Sequence, residues 1–171
     1  MFKTPGRKVA FAALATGALL LAGCATETAY RPATGQGFNR TGYSDRQVEP
    51  GRFLVSFAGN SVTSRDTVER YLFFRAAELT LQNGYDYYLM ADRDTNLQSR
   101  TYSTPGIGGG FGYGGFGGGP WGNDFDVRTI DRYEATAEIV MRKGPIPRDN
   151  IRAFDARKVV DSIGPSVVLP K

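Results

Sequence analysis

The sequence has 171 residues, with 21 basic and 17 acidic side chains, no histidine and one cysteine. A chain of this length fits one domain with a modest hydrophobic core. The lack of histidine removes the commonest general base near neutral pH and the commonest transition-metal ligand. With a single cysteine, Cys24, the chain has no intramolecular disulfide and no thiolate cage, so we expect neither a metal nor a cofactor.

Charge is distributed unevenly along the chain. Three of the 21 basic residues, Lys3, Arg7 and Lys8, and none of the 17 acidic residues precede residue 24. From residue 24 onward the chain therefore has 18 basic against 17 acidic side chains. Proteins bind a phosphate backbone with a clustered basic face, so this balance argues against a nucleic-acid partner.

The first 23 residues have the layout of a secretion signal. A basic stretch ends at Lys8, an apolar run of 13 residues extends from Val9 to Leu21, and small residues follow. A helix needs about 20 apolar residues to cross the hydrocarbon core of a bilayer, and this run is shorter. The pattern predicts a signal peptide over residues 1–23 rather than a permanent membrane span.

The end of this segment, Leu21-Ala22-Gly23-Cys24, resembles the bacterial lipobox. The resemblance implies transfer of a diacylglyceryl group to the Cys24 sulfur and cleavage between Gly23 and Cys24. Acyl chains such as palmitate would then hold the protein in the lipid bilayer. Because Ala25 rather than an aspartate follows, the resemblance also implies an outer-membrane location facing the periplasm. The alternative is an ordinary signal peptide that contains a buried cysteine.

Residues 24–50 are rich in Thr, Gly, Arg and Gln and have no sustained hydrophobic period. This composition predicts a flexible tether between the anchor and a folded domain. A flexible segment of this length has an end-to-end distance of roughly 28 Å. We therefore expect the domain to lie clear of the lipid headgroups.

A strand and a helix are predicted next. Arg52–Gly59 places Phe53, Val55 and Phe57 on one side at period two, which is typical of a half-buried strand. Thr63 or Ser64 can cap a helix that runs to about Gln82, where Asn83-Gly84 supplies a stop signal. The positions that recur at helical spacing are Val68, Tyr71, Leu72, Arg75, Ala76 and Leu79.

Two further strands are predicted around a long connection. Tyr85–Asp92 is aromatic and apolar, and Tyr133–Met141 alternates apolar with mostly polar residues. Such alternation is typical of a strand with one wet face, so we expect the two strands to pair antiparallel. Residues 93–131 would then form the connection between them.

The remaining pattern completes a small α+β domain. A short helix is predicted from about Asp155 to Ser162, followed by an irregular tail over residues 164–171. The order of elements indicates one main helix packed on a small, mostly antiparallel sheet. The predicted domain spans residues 51–163 and carries a Gly/aromatic insert at residues 103–123.

The insert is a low-complexity segment with 11 glycines between Gly106 and Gly122. A glycine zipper is disfavoured because glycine destabilises a helix interior by about 1 kcal/mol. A phosphate-binding loop is disfavoured because no Lys-Ser/Thr ending follows. Two interpretations stay open, a mobile hairpin extension or a loop whose aromatic side chains contact a partner, polymer or lipid surface. Those aromatic side chains are Phe111, Tyr113, Phe116 and Trp121.

Other candidate binding residues lie where the helix meets the sheet. Arg75 sits near the apolar stripe of the helix, where it either pairs with an acid such as Glu78 or contributes to binding. An aromatic cleft for a small ligand or glycan would be lined by Tyr71, Tyr85, Tyr87 and Tyr88.

Carboxylates are numerous enough to raise the possibility of glycoside hydrolysis, which uses two acids about 5 to 9 Å apart. The candidates are Glu69, Glu78, Asp86, Asp92, Asp94, Glu134 and Glu138. Nothing in the sequence pairs them, and Glu134 and Glu138 share the polar face of a predicted strand. We interpret these acids as structural.

Several segments stand out besides the lipobox, namely Gly42-Tyr43, Arg52–Ser61 (RFLVSFAGNS), Arg65, Val68–Leu72, Arg75–Thr80 (RAAELT) and Gly84-Tyr85-Asp86. Together with the lipobox they resemble an uncharacterised family of alphaproteobacterial envelope lipoproteins. The resemblance implies a location in the cell envelope and carries no activity with it.

The sequence therefore predicts a membrane-anchored lipoprotein that is not an enzyme and serves as a structural or interaction module of the cell envelope. Its expected partners are the bilayer and an envelope protein or the cell wall. The first alternative is a periplasmic module that binds a small ligand or glycan. The second is a carboxylate glycosidase that acts on peptidoglycan.

Overall fold

The structure is a computed structural model that describes residues 26–105 and 125–170. The predicted signal peptide, the lipobox with Gly23 and Cys24, and most of the Gly/aromatic insert lie outside the described residues. The same holds for the four aromatic residues proposed as contacts, Phe111, Tyr113, Phe116 and Trp121.

The described chain forms an α+β fold, as predicted. Its elements in chain order are a 3-10 turn (Gly37–Asn39), β1 (Gly42–Glu49), β2 (Arg52–Ala58), α1 (Arg65–Gln82), β3 (Tyr87–Pro105), β4 (Phe125–Arg142), β5 (Ala153–Asp155), α2 (Ala156–Ile163) and a second 3-10 turn (Gly164–Ser166). The five strands form one antiparallel sheet in the order β1-β2-β4-β3-β5.

The core lies between one face of this sheet and helix α1. On β2, the alternating residues Phe53, Val55 and Phe57 are buried, which confirms the predicted strand. On β4, the buried face carries Ala135 and Ala137, whose small side chains leave room for the helix. Removing this apolar surface from water is the main stabilising contribution to the fold.

Helix α1 begins and ends where the sequence predicts. The Ser64 side chain accepts a hydrogen bond from the Thr67 backbone N–H, satisfying a donor that the first turn leaves free. At the other end Gly84 adopts a φ of 73°, a left-handed conformation that glycine adopts without steric cost. Between these ends Val68, Leu72 and their neighbours at helical spacing are buried against the sheet.

Strands β3 and β4 are much longer than predicted. They pair continuously from Tyr87 opposite Arg142 to Pro105 opposite Phe125, with one bulge between Met90 and Asp92. The prediction of an irregular connection over residues 93–131 is therefore wrong for residues 93–105 and 125–131. Beyond the helix both faces of this hairpin are exposed, so its residues lack the one-sided apolar alternation that marks a strand in a sequence.

The prediction of a flexible tether over residues 24–50 is wrong for its described part. Residues 42–49 form edge strand β1, which pairs antiparallel with β2. Upstream, Tyr30 is only 5% exposed and its ring lies 5.6 Å from that of Tyr71. The folded domain therefore begins well before residue 51. Burial of these aromatic side chains stabilises the packed segment relative to a solvated tether.

The C-terminal residues close the fold. Helix α2 confirms the predicted short helix, with the Asp155 side chain accepting a hydrogen bond from the Lys158 N–H. After the 3-10 turn, the Val168 carbonyl accepts a hydrogen bond of 2.8 Å from the Tyr30 N–H. The C-terminal tail thus packs against the N-terminal segment and holds that segment to the rest of the domain.

We predict that Gly42→Ala destabilises the protein more than Gly144→Ala. Both glycines have positive φ, 109° and 93°, which costs any L side chain about 1 kcal/mol. A Cβ at position 42 would also lie 2.6 Å from the Arg31 carbonyl oxygen, whereas a Cβ at position 144 meets nothing within 4 Å. Urea denaturation should show an extra loss of about 2 kcal/mol for Gly42→Ala. Equal losses would contradict the packing of the N-terminal segment on β1.

Candidate functional site

The tyrosines proposed to line an aromatic cleft belong to the closed core. Tyr71, Tyr87 and Tyr88 are buried and only Tyr85 is half-buried. The Tyr71 hydroxyl accepts a hydrogen bond of 2.9 Å from the Val168 N–H, so its polar end is already used within the chain. The prediction of an open cleft lined by these four residues is therefore wrong.

Arg75 lies at the centre of an ion-pair network that joins α1 to β1. Its Nε and Nη2 donate hydrogen bonds of 2.9 and 2.8 Å to one carboxylate oxygen of Asp45, and its Nη1 lies 3.5 Å from Glu78. The guanidinium carbon lies 4.3 Å from the centre of the Tyr43 ring, within the range of a cation–π interaction. Tyr30 completes the network by donating its hydroxyl hydrogen to Glu78.

This network shifts the protonation of two buried groups. Burial opposes the charge on Arg75, but the hydrogen bond and negative charge of Asp45 outweigh it and raise the pKa of the guanidinium. Burial, with the hydrogen bond to Glu78, raises the pKa of the Tyr30 phenol well above its usual range. Both groups therefore keep their protons under physiological conditions, and Arg75 acts as a structural cation.

We predict that Arg75→Met lowers the free energy of unfolding by about 2 kcal/mol, because it leaves the Asp45 carboxylate and the Tyr30–Glu78 pair without their cation. Asp45 keeps a quarter of its side-chain surface exposed, which limits the loss. The matched control is Arg65→Ala on the same helix, where an Arg65 side chain that is 63% exposed pairs with Glu69. That change should cost no more than about 0.5 kcal/mol. Similar losses from both variants in urea denaturation would contradict the structural role of Arg75.

The raised pKa of Tyr30 predicts a pH dependence of stability at alkaline pH. The unfolded phenol ionises near 10.0, whereas the folded phenol stays neutral to higher pH. Its contribution is therefore complete below pH 10.0 and is lost as the pH rises toward the folded value. One such group gives a slope of up to about 1.4 kcal/mol per pH unit. Between about pH 9 and 11, stability should fall less steeply for Tyr30→Phe than for the wild type. Parallel curves would show that the phenol is solvated in the folded state.

The most distinctive surface is a two-stranded ribbon, residues 97–105 of β3 and 125–133 of β4. Strand β2 pairs with β4 only as far as Ala58 opposite Glu134, so beyond that point β3 and β4 pair with each other alone. The ribbon exposes large apolar side chains on both faces, namely Leu97 (53% exposed), Tyr102, Val127 (59%) and Ile130. Apolar side chains gathered on a projecting element are typical of a contact surface.

Arg132 fixes the base of this ribbon. It is 5% exposed, and its Nε and Nη2 donate to the Gln98 side-chain oxygen at 3.0 and 2.6 Å. Its Nη1 donates to the Arg40 carbonyl, and its guanidinium carbon lies 4.9 Å from the centre of the Phe38 ring. The ribbon therefore leaves the sheet from a rigid base, and the Arg132 donors are used in holding it.

Among the described residues, the outer edge of β3 has no partner strand along most of its length. Strand β5 covers only Tyr87–Leu89, and the Met90 N–H then donates to the Arg152 carbonyl at 2.9 Å. Within residues 26–105 and 125–170, no strand pairs with this edge beyond that point. An unpaired edge presents N–H and C=O groups that can bind another strand.

Two clefts adjoin Phe73 and Phe154, whose rings meet edge to face at 5.2 Å. One cleft of about 390 Å³ includes Asp92 and Arg93, and the other, of about 440 Å³, includes Val159 and Ile163. In the first, the Arg93 guanidinium carbon lies 5.4 Å from the Phe73 ring centre and covers the aromatic face that a sugar would stack on. This contact leaves less of the Phe73 ring open to a sugar, so the geometry does not favour a glycan site in this cleft.

The carboxylates considered for glycoside hydrolysis form structural contacts in the described parts of the chain. Glu138 pairs with Arg52 at 3.0 Å, and Glu69 with Arg65 at 2.8 Å. Four more carboxylates accept hydrogen bonds: Glu134 from the Gln98 amide, Glu78 from the Tyr30 hydroxyl, Asp86 from the Gly144 N–H and Asp94 from the Asn96 amide. Asp92 lies opposite Glu138 in the ladder but is exposed. These contacts and the exposure of Asp92 support the structural interpretation of the acids.

Comparisons with known proteins add no assignment. No protein-family model, curated protein or solved structure matches this chain. Among the described residues, no group of three or more His, Cys, Asp or Glu side chains could hold a metal ion. No described helix combines the length and the hydropathy that a membrane span requires.

Proposed function

We propose that the protein is a lipid-anchored interaction module of the bacterial cell envelope, without enzymatic activity, and that the β3/β4 ribbon is its contact surface. The ribbon carries the proposal. It extends beyond the core from a rigid base, exposes Leu97 and Val127, and has an open backbone edge. None of these features contributes to the packing of α1 on the sheet.

The anchor in this proposal comes from the sequence. The resemblance of Leu21–Cys24 to a lipobox supports acylation at Cys24 and an outer-membrane location facing the periplasm. Two or more acyl chains suffice for stable attachment to a bilayer. A module held in this way meets its partners by lateral diffusion, and a projecting ribbon suits such encounters.

The proposal predicts crosslinks from the ribbon in intact cells. A photoreactive residue at Val127 or Tyr102 should capture envelope partners, because both side chains are exposed on the ribbon. The same residue at Arg157, exposed on α2, is the control and should yield few products. Cys24→Ser should move the protein from the membrane pellet to the soluble fraction. Equal crosslinking from Arg157 would overturn the contact surface, and unchanged sedimentation of Cys24→Ser would overturn the anchor.

A further inference from the structure

The direction of the backbone groups on the free edge of β3 follows from its neighbour β4. The Met141 N–H donates to the Gly51 carbonyl, and the Tyr133 carbonyl accepts from the Gly59 N–H. Odd-numbered residues of β4 therefore point their backbone groups toward β2, and even-numbered residues point theirs toward β3. In the ladder, even residues of β4 lie opposite even residues of β3 after the bulge, such as Glu134 opposite Asn96.

Odd-numbered residues of β3 must consequently point their backbone groups outward. Up to residue 101 they are Arg93, Thr95, Leu97, Ser99 and Thr101. This window lies between the end of β5 and Pro105, which has no N–H to donate. It contains no proline, lysine or further bulge, three of the features that protect an exposed edge from pairing, and its charged side chains, Arg93, Asp94 and Arg100, are of both signs.

We infer that this edge pairs with the same edge of a second copy of the chain, antiparallel and about a two-fold axis at Leu97. This inference rests on the proposed function in taking the ribbon as a contact surface. In this register Leu97 faces its own counterpart, Thr95 faces Ser99, and Arg93 faces Thr101. Each outward residue meets another outward residue, so the hydrogen-bonding groups of the two strands match along the window.

Charge complementarity selects this register. A two-fold axis at Leu97 places Asp94 of each copy opposite Arg100 of the other, on the face of the sheet away from α1. Both side chains are exposed, and neither forms an ion pair within the described chain. Opposite charges at directly facing positions of an antiparallel pair are stabilising.

Neighbouring registers are less favourable. An axis at Gln98 sets Arg100 against Asn96 and leaves Asp94 facing Tyr102. An axis at Asn96 sets Arg100 against Asp92, beside the bulge where the free edge ends. The axis at Leu97 is also the one that brings the two exposed leucine side chains together, which removes apolar surface from water.

The register can be tested by adding one cysteine at a time to the full-length protein, purified in detergent and treated with a mild oxidant; the unsubstituted protein, which has Cys24 alone, is the blank. Leu97→Cys should form a disulfide-linked dimer, because facing Cα atoms of a hydrogen-bonded pair are about 5.5 Å apart, within disulfide range. Ser99→Cys and Thr95→Cys are matched controls on the same edge and should each give at least about tenfold less dimer. A mixture of these two variants should form the heterodimer.

A charge swap tests the ion pairs in the Leu97→Cys background. Adding Asp94→Arg sets like charges opposite each other and should reduce the dimer yield at least about tenfold. Adding Arg100→Asp to that variant should restore it, whereas Asp161→Arg on α2 should leave the yield unchanged.

The absence of a Leu97→Cys dimer, or equal yields from Ser99→Cys, would overturn the inference. If that absence were accompanied by crosslinks from Val127 to other envelope proteins, the proposed function would stand and only the self-pairing would fall. If the Leu97→Cys dimer formed and no other crosslinks appeared in cells, the partner of the ribbon would be a second copy alone.

Discussion

The structure depends on strand β4, which forms hydrogen bonds with neighbouring strands on both sides. Its odd-numbered residues bond to β2 and its even-numbered residues bond to β3; the ladder with β2 holds one register throughout, and the ladder with β3 shifts once, at the bulge between Met90 and Asp92. Side chains alternate on the same period, so Ala135 and Ala137 lie under α1 while Glu134 and Glu138 face away from it. A slip of one residue would bury the acids and expose the alanines, which specifies the register strongly.

The parts of the fold that the sequence predicts are those whose signals are local. Phe53, Val55 and Phe57 alternate within one strand, and Ser64 with Gly84 marks the two ends of α1. Strand β1 is different, because its side chains toward the helix include Asp45, whose partner Arg75 lies 30 residues farther along. A polar residue at such a position looks solvated until its partner is known, so the sequence predicts a tether where the structure has a strand. The pairing of β1 with β2 therefore has no local signal in the sequence.

In the candidate site, too, the features that the sequence does not predict depend on contacts between residues far apart in the chain. The tyrosines around α1 have the composition of an aromatic cleft, but composition does not reveal whether a side chain is open to solvent. Packing against Tyr30 and the Val168 backbone closes the space around Tyr71. The sequence signal for the ribbon is weak, since Thr95, Thr101 and Tyr102 favour strands without marking one face as buried. The contact surface therefore emerges only from the ladder that extends β3 and β4 beyond the helix.

The bulge at Met90–Asp92 connects the fold to the proposed pairing. Before it, the even residues Tyr88 and Met90 contribute their side chains to the core under α1; after it, odd residues take that face, and Arg93 reaches Phe73 and Glu69 on α1. The extra residue also reverses which backbone groups point outward, so Asp94 and Arg100 fall at positions that are not hydrogen-bonded across the proposed dimer. Facing side chains approach more closely at such positions, with Cα atoms about 4.5 Å apart instead of 5.5 Å. If the register of Tyr87–Met90 continued unchanged along β3, the same two charges would face each other at the wider spacing, and their attraction would be weaker.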